Sequence, residues 1–188
     1  MATLYAGLVR SVLDELAGAL ASVKDTDLTA LRQALVAARR IYIAGTGRSG
    51  LQMRGFAIRL VHLGFSVHVV GETTTPGIAE GDLLVIGSGS GQTAPLVQYA
   101  HSAKACNAQV ALITTEGKSS ISELANYVLQ ISAPTLKRNG PLGCTSIQPM
   151  GSLFEQSLGL VLDILVLQLM DQLEITAAQM LARHTTLE

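Results

Sequence analysis

The chain has no tryptophan, only three phenylalanines and four tyrosines among 188 residues, and its 13 Lys and Arg nearly balance 14 Asp and Glu. A nucleic-acid binder draws its affinity from clustered cations and its stacking from aromatic rings. A net charge of -1 without a basic cluster supplies neither, so nucleic acid is not an expected partner. The two cysteines, Cys106 and Cys144, belong to no CxxC and no Cys/His cluster, which excludes a disulfide framework and a zinc site and fits a reducing cytoplasm. Charged residues are also scarce, at 14% against 48% hydrophobic. That is too few to wet a whole surface, so some apolar faces are expected to be buried between subunits of a homo-oligomer. No stretch reads as a membrane span: the most apolar run, Leu158 to Met170, carries Asp163 and Gln168 and falls short of roughly 20 residues. The N-terminus places its first basic residue, Arg10, after an apolar stretch, the reverse of a secretory signal. A soluble, cytoplasmic, single-domain protein over 1–188 is the expectation.

What the chain does have is alternation. Leu8, Val12, Leu16, Ala19 and Leu20 share a helical face between Leu4 and Val23, and Leu28, Leu31, Leu35 and Val36 continue the period in a second helix for which Asp27 would be the N-cap. Arg39-Arg40 follows, where a helix dipole favours cations. Strands are then expected at Ile41–Ala44, Ser66–Val70, Leu83–Ile86, Gln109–Thr114 and Tyr127–Ile131, with helices at Leu51–Leu63, Ala94–Cys106 and, briefly, Ser120–Ala125. The strands are short, Val/Ile/Leu-rich and not alternating, as strands covered on both faces of a parallel sheet are. The fold class is therefore α/β, doubly wound, with a flavodoxin-like five-stranded parallel sheet, leading N-terminal helices and a long C-terminal helix from Ser152 to Leu173. That last helix is apolar on nearly every side, so one face should meet the sheet and another a partner subunit. Ala133 to Pro149 is too long for an ordinary connection and is a candidate functional loop.

Two glycine loops stand between strand and helix. Gly45-x-Gly47-x-x-Gly50 matches the dinucleotide fingerprint, with Glu72 where a ribose-binding acid would fall. The chain is too short for a second mononucleotide half and a substrate domain, and the fingerprint leaves the second loop unexplained. That loop, Gly87-Ser-Gly-Ser-Gly-Gln-Thr93, can turn successive backbone N–H groups on an anion and add the Ser88, Ser90 and Thr93 hydroxyls, with a helix N-terminus behind them. It lacks the lysine of a nucleotide P-loop, so a monophosphate fits better than a triphosphate. In a flavodoxin-like order the two loops flank the switch point where ligands bind. Ser49, Ser88, Ser90 and Thr93 are the candidate phosphate contacts. Gly47, Gly89 and Gly91 would allow close backbone approach, and Arg48 would serve either the ligand or a structural ion pair.

Ala44-Gly-Thr-Gly-Arg-Ser-Gly50, Glu72-Thr-Thr-Thr-Pro76 and Gly87-Ser-Gly-Ser-Gly-Gln-Thr93 resemble the sugar isomerase (SIS) domain. Gln148-Pro-Met-Gly-Ser-Leu-Phe-Glu-Gln156 and the tail Arg183-His184 to Glu188 are similar to one branch, the 6-phospho-3-hexuloisomerases. This resemblance implies interconversion of 3-hexulose 6-phosphate and fructose 6-phosphate through an enediol in the ribulose monophosphate route of formaldehyde fixation. It further implies no cofactor and no metal, a tetramer with a dimer as the alternative, and a 3-hexulose-6-phosphate synthase as functional partner. It makes Glu155 the catalytic base and brings His184 to a neighbouring subunit's site. From the residues alone Ser152-x-x-Glu155 reads rather as a capping box, and His184 as a solvated terminal histidine. Two other readings of the same loops stay open: an arabinose 5-phosphate isomerase, which usually carries CBS domains, and a non-catalytic phosphosugar sensor lacking the base.

Overall fold

The computed structural model describes residues 3–134 and 145–186. The element order is α1 (Leu4–Ala21), α2 (Asp25–Ala37), β1 (Ile41–Gly45), α3 (Gly47–Leu63), β2 (Val67–Val69), β3 (Leu83–Gly87), α4 (Ala94–Ala105), β4 (Gln109–Thr114), β5 (Tyr127–Gln130), α5 (Ser152–Gln172) and α6 (Ala177–Leu181). The strands form one parallel sheet of order β2-β1-β3-β4-β5, which is the flavodoxin-like order expected.

Both faces of the sheet are covered, which explains why the strands do not alternate. Ile41, Ile43, Leu83, Val85, Ala111 and Ile113 face one core, shared with α1, α2, α3 and α5. Their neighbours Tyr42, Ala44, Leu84, Ile86, Val110 and Leu112 face a smaller core under α4. The central strand β3 is buried at all five positions, whereas edge strand β2 is only half-buried throughout. Continuous apolarity thus tracks a strand's place in the sheet.

Several local expectations change. Asp27 is not the N-cap of α2; Lys24 holds that position, and Asp25 and Asp27 lie in the first turn, where carboxylates favour the helix dipole without capping it. Arg39 and Arg40 follow α2 but leave its dipole alone: both clasp Asp82 at the start of β3, with Nε and Nη2 contacts of 2.8–3.3 Å. Asp82 is fully buried and also accepts the Ala79 N–H at 2.9 Å. Burial pushes its carboxyl up, but hydrogen bonds from Arg40, the Ala79 amide and Arg39 outweigh that and hold it below the ordinary aspartate range. The segment Ser120–Ala125 is a turn tied by Ser119 and Ser122 rather than a helix, because their side chains bond backbone within the segment.

The α5 helix is long and apolar enough, by length and composition, to cross a membrane, which corrects the shorter run counted from sequence. Half of its most apolar window is nonetheless buried in the fold, with Leu158, Leu162, Leu165 and Leu169 against the core. Leu160, Ile164 and Leu167 remain exposed on its outer side.

Candidate active site

β1 and β3 lie side by side in register, with Gly45 opposite Gly87 at their C-terminal ends. The chain leaves β1 into α3 on one face and leaves β3 into α4 on the other, so a crevice opens between the two connections. The N-termini of two helices converge there, each with backbone N–H groups that have no partner inside the helix.

In the first connection the glycine loop is already helix: α3 begins at Gly47 rather than Leu51. Glycines lower helix propensity by about 1 kcal/mol each, which hides this start in the sequence. Two of them serve packing. A Cβ on Gly45 would stand 2.9 Å from Gly50 Cα, and one on Gly50 would stand 2.8 Å from the Gly45 carbonyl oxygen. Strand and helix touch at this point, and Ser49 and Arg48 are thereby carried to the crevice. Gly47 adopts a positive φ of 57° that opens the turn.

The second connection is held rigidly from behind. The Gly89 carbonyl accepts hydrogen bonds from the Thr114 and Thr115 hydroxyls, each 2.9 Å, and from the Thr115 N–H at 3.1 Å. A Cβ on Gly91 would collide with the Ser119 side chain, and its φ is 59°, so this glycine serves the loop's fit against the turn behind it. Thr93 is the N-cap of α4, yet its side chain makes no cap bond. Among the described residues, the hydroxyls of Ser49, Ser88 and Thr93 and the N–H groups of Gly89 and Ser90 have no partner. The Ser90 hydroxyl accepts only a long 3.3 Å bond from the Gln92 N–H. A fixed loop with its donors uncommitted has the geometry to receive an anion.

Packing of α5 on α3 brings Glu155 to the mouth of the crevice. Its Oε2 accepts from Arg48 Nε at 2.6 Å, with the Glu155 side chain 17% exposed and Arg48 63% exposed. The capping box is not formed: Gly151 is the N-cap of α5, Ser152 lies inside the helix, and no side chain caps its start. The entry to α5 is instead held by α1. Glu15 accepts from the Ser146 hydroxyl and the Ile147 N–H at 2.7 Å each and from Gln148 Nε2 at 3.0 Å. Burial raises the Glu15 carboxyl, but these hydrogen bonds outweigh it and hold it below the ordinary glutamate range. Sequence reading missed Glu15, because nothing local on an amphipathic helix marks a contact to a segment far along the chain.

Not every candidate gathers at the crevice. His184 packs on His62 with ring centroids 5.2 Å apart, and Arg183 Nη1 donates to the His62 carbonyl. His62 lies in the last turn of α3, about 22 Å along that helix from Gly47. Within one chain, His184 is therefore remote from Glu155. Glu72, the candidate ribose ligand, forms an exposed ion pair with Arg54 of α3 at 2.6 Å. Thr75 and Pro76 line a cavity of about 130 Å³ with Tyr42 and Tyr99 on the α4 face, while Thr75 bonds the Val69 carbonyl. The candidate loop from Ala133 to Pro149 is described only at its ends, 133–134 and 145–149; Cys144 and the tail residues 187–188 also lie outside the described residues.

Comparison with known proteins places this geometry. Residues 34–158 match the SIS domain model. A 3-hexulose-6-phosphate isomerase of Bacillus subtilis is 40% identical over 181 residues, covering 96% of this chain and 97% of its own. One of Mycobacterium gastri is 41% identical over 177 residues, covering 94% and 88%. A solved Methanococcus jannaschii protein, whose structure was taken to infer the same molecular function, superimposes with a TM-score of 0.81 at 31% identity, covering 97% of this chain and 99% of that one. The chain thus belongs to the SIS domain family, in the branch of the 3-hexulose-6-phosphate isomerases.

Proposed function

We infer that the chain is an isomerase that interconverts 3-hexulose 6-phosphate and fructose 6-phosphate. The observation that carries this reading is the pairing of a donor-rich glycine loop with a carboxylate at the same crevice, in a chain matched over nearly its whole length by relatives of that name. Moving a carbonyl from C3 to C2 requires removal of the C2 proton, an enediol shared by C2 and C3, and return of a proton to C3. The hydroxyl proton meanwhile passes from O2 to O3.

The residues divide this work. The Ser49, Ser88, Ser90 and Thr93 hydroxyls and the backbone at Gly47, Gly89 and Gly91 hold the phosphate, which is unchanged by the reaction. Glu155, as carboxylate, takes the C2 proton and delivers it to C3. Arg48, bonded to that carboxylate, orients it and sets a positive charge beside the oxygen that becomes negative in the enediolate. His184 can serve only a neighbouring subunit's crevice, since its own lies at the far end of α3. A homo-oligomer, a tetramer in this reading, is supported by the exposed Leu4, Tyr5, Leu8, Leu13, Leu51 and Leu167. In a cytoplasmic ribulose monophosphate pathway, a 3-hexulose-6-phosphate synthase would supply the substrate.

The test is a coupled assay comparing 3-hexulose 6-phosphate with ribulose 5-phosphate. Turnover of the hexulose phosphate, abolished by Glu155→Gln, is expected. Turnover of the pentulose phosphate alone would assign a different isomerase, and binding of fructose 6-phosphate without any turnover would make the chain a sensor.

A further inference from the structure

The hydrogen bonds at the entry to α5 form one connected path. Glu15 of α1 receives the Ser146 hydroxyl, the Ile147 N–H and the Gln148 amide. The Gln148 N–H in turn donates to the Ser146 hydroxyl at 3.0 Å, closing the segment on itself. Gln148 Oε1 then accepts from Gln156 Nε2 at 2.7 Å, in the residue after Glu155. Between the two ends of this path sits Met150, with φ of 59°, a left-handed conformation that a side chain of its size avoids. Its side chain is 70% exposed, so packing does not impose that conformation. Such a residue persists only where its neighbours over-determine the backbone. Here the determinants are Glu15 on one side and the Pro149 carbonyl accepting the Ser152 N–H on the other. The α1 helix can bear this load because Leu16 and Ala19 bury its inner face, and α1 packs against α5 itself.

We propose that Glu15 is a positioning residue of the isomerase: by gathering Ser146, Ile147 and Gln148 it fixes the chain entering α5 and so sets where the Glu155 carboxylate stands over the crevice. This rests on the reading of Glu155 as the base. The hydrogen bonds of Glu15 go to Ser146, Ile147 and Gln148 and not to the glycine loops, of which the second is held from behind by Thr114 and Thr115 and the first by the Gly45–Gly50 contact. Its loss should therefore act on the chemical step and spare ground-state binding.

The test compares Glu15→Ala and Glu15→Gln with an Asp14→Ala control on the exposed side of α1. For Glu15→Ala, kcat is expected to fall at least tenfold, with KM and the Kd for fructose 6-phosphate within twofold of the parent. Glu15→Gln, which keeps one acceptor oxygen, should fall between, and Asp14→Ala should match the parent. Amide hydrogen exchange over 145–156 should quicken at least tenfold in Glu15→Ala while β3 and β4 keep their protection. Unchanged kcat, unchanged exchange at 145–156, or parallel loss of kcat and of fructose 6-phosphate binding would overturn the proposal. If the parent enzyme turns over no hexulose phosphate, or Glu155→Gln retains turnover, the reading of the reaction fails instead. The exchange measurement then decides by itself whether Glu15 holds the entry to α5.

Discussion

The two ends of the β1–β3 pair carry similar amounts of polarity and do opposite things with it. At the N-terminal end, Asp82 is fully buried and every bond it can make is made, to Arg39, Arg40 and the Ala79 amide. At the C-terminal end, the Ser49, Ser88 and Thr93 hydroxyls and the Gly89 and Ser90 amides have no partner among the described residues. The first arrangement is a clasp and the second a candidate site. All of these donor residues but Ser88 are only partly covered, and they face the crevice beside a helix N-terminus, where an anion can complete them. Charge by itself does not separate the two ends; whether the polar groups are closed on one another or open to the crevice does.

The sharpest way to break the comparison is at the site end. Glu155→Gln should lower kcat by about 10²–10⁴-fold, the range for loss of a general base, with the fold intact by circular dichroism. A folded variant with near-parental turnover would remove Glu155 from the chemistry. At the clasp end, Asp82→Asn should cost about 2–3 kcal/mol of stability by urea unfolding, because two guanidinium groups lose their shared anion. Arg39 is half-exposed and can recover water, which keeps the cost below that of a fully buried pair. The folded fraction of that variant should turn over substrate at the parental rate, and a specific kcat defect would merge the two ends.

Smaller effects sharpen the same contrast. Ser90→Ala should raise KM about tenfold with kcat little changed, since a hydrogen bond to a phosphate is worth about 1.5–3 kcal/mol and is made alike in substrate and transition state. A kcat loss without a KM change would mean that the loop serves the reacting carbons. Smallest is the acid response. Asp82 titrates below its unfolded value, so its stabilisation is complete above about pH 4, the ordinary aspartate range, and fades as pH falls through the lower folded value. Stability measured from pH 5 downward should fall more steeply in the parent than in Asp82→Asn.

Much of this was legible in the sequence because it follows from periodicity. The strand runs at Ile41, Leu83 and Gln109 are apolar because both faces are covered, and their order placed the two loops together. The start of α3 was hidden because Gly47 and Gly50 are poor helix formers whose small size is needed for contact with Gly45. Arg39-Arg40 reads locally as a dipole pair because its partner, Asp82, lies beyond two strands and a helix. The capping box at Ser152 failed because α5 begins after Gly151 and its entry is bonded to Glu15 instead. For Arg39-Arg40 and for the start of α5, a local rule lost to a contact distant in sequence.

The claim that binding and chemistry are divided between the glycine loops and Glu155 is tested most directly by titrating Glu155→Gln with fructose 6-phosphate beside a turnover assay. The account predicts a Kd within about threefold of the parental value together with a kcat lowered by at least about 10²-fold. Parental turnover, or loss of binding and turnover in the same proportion, would contradict it.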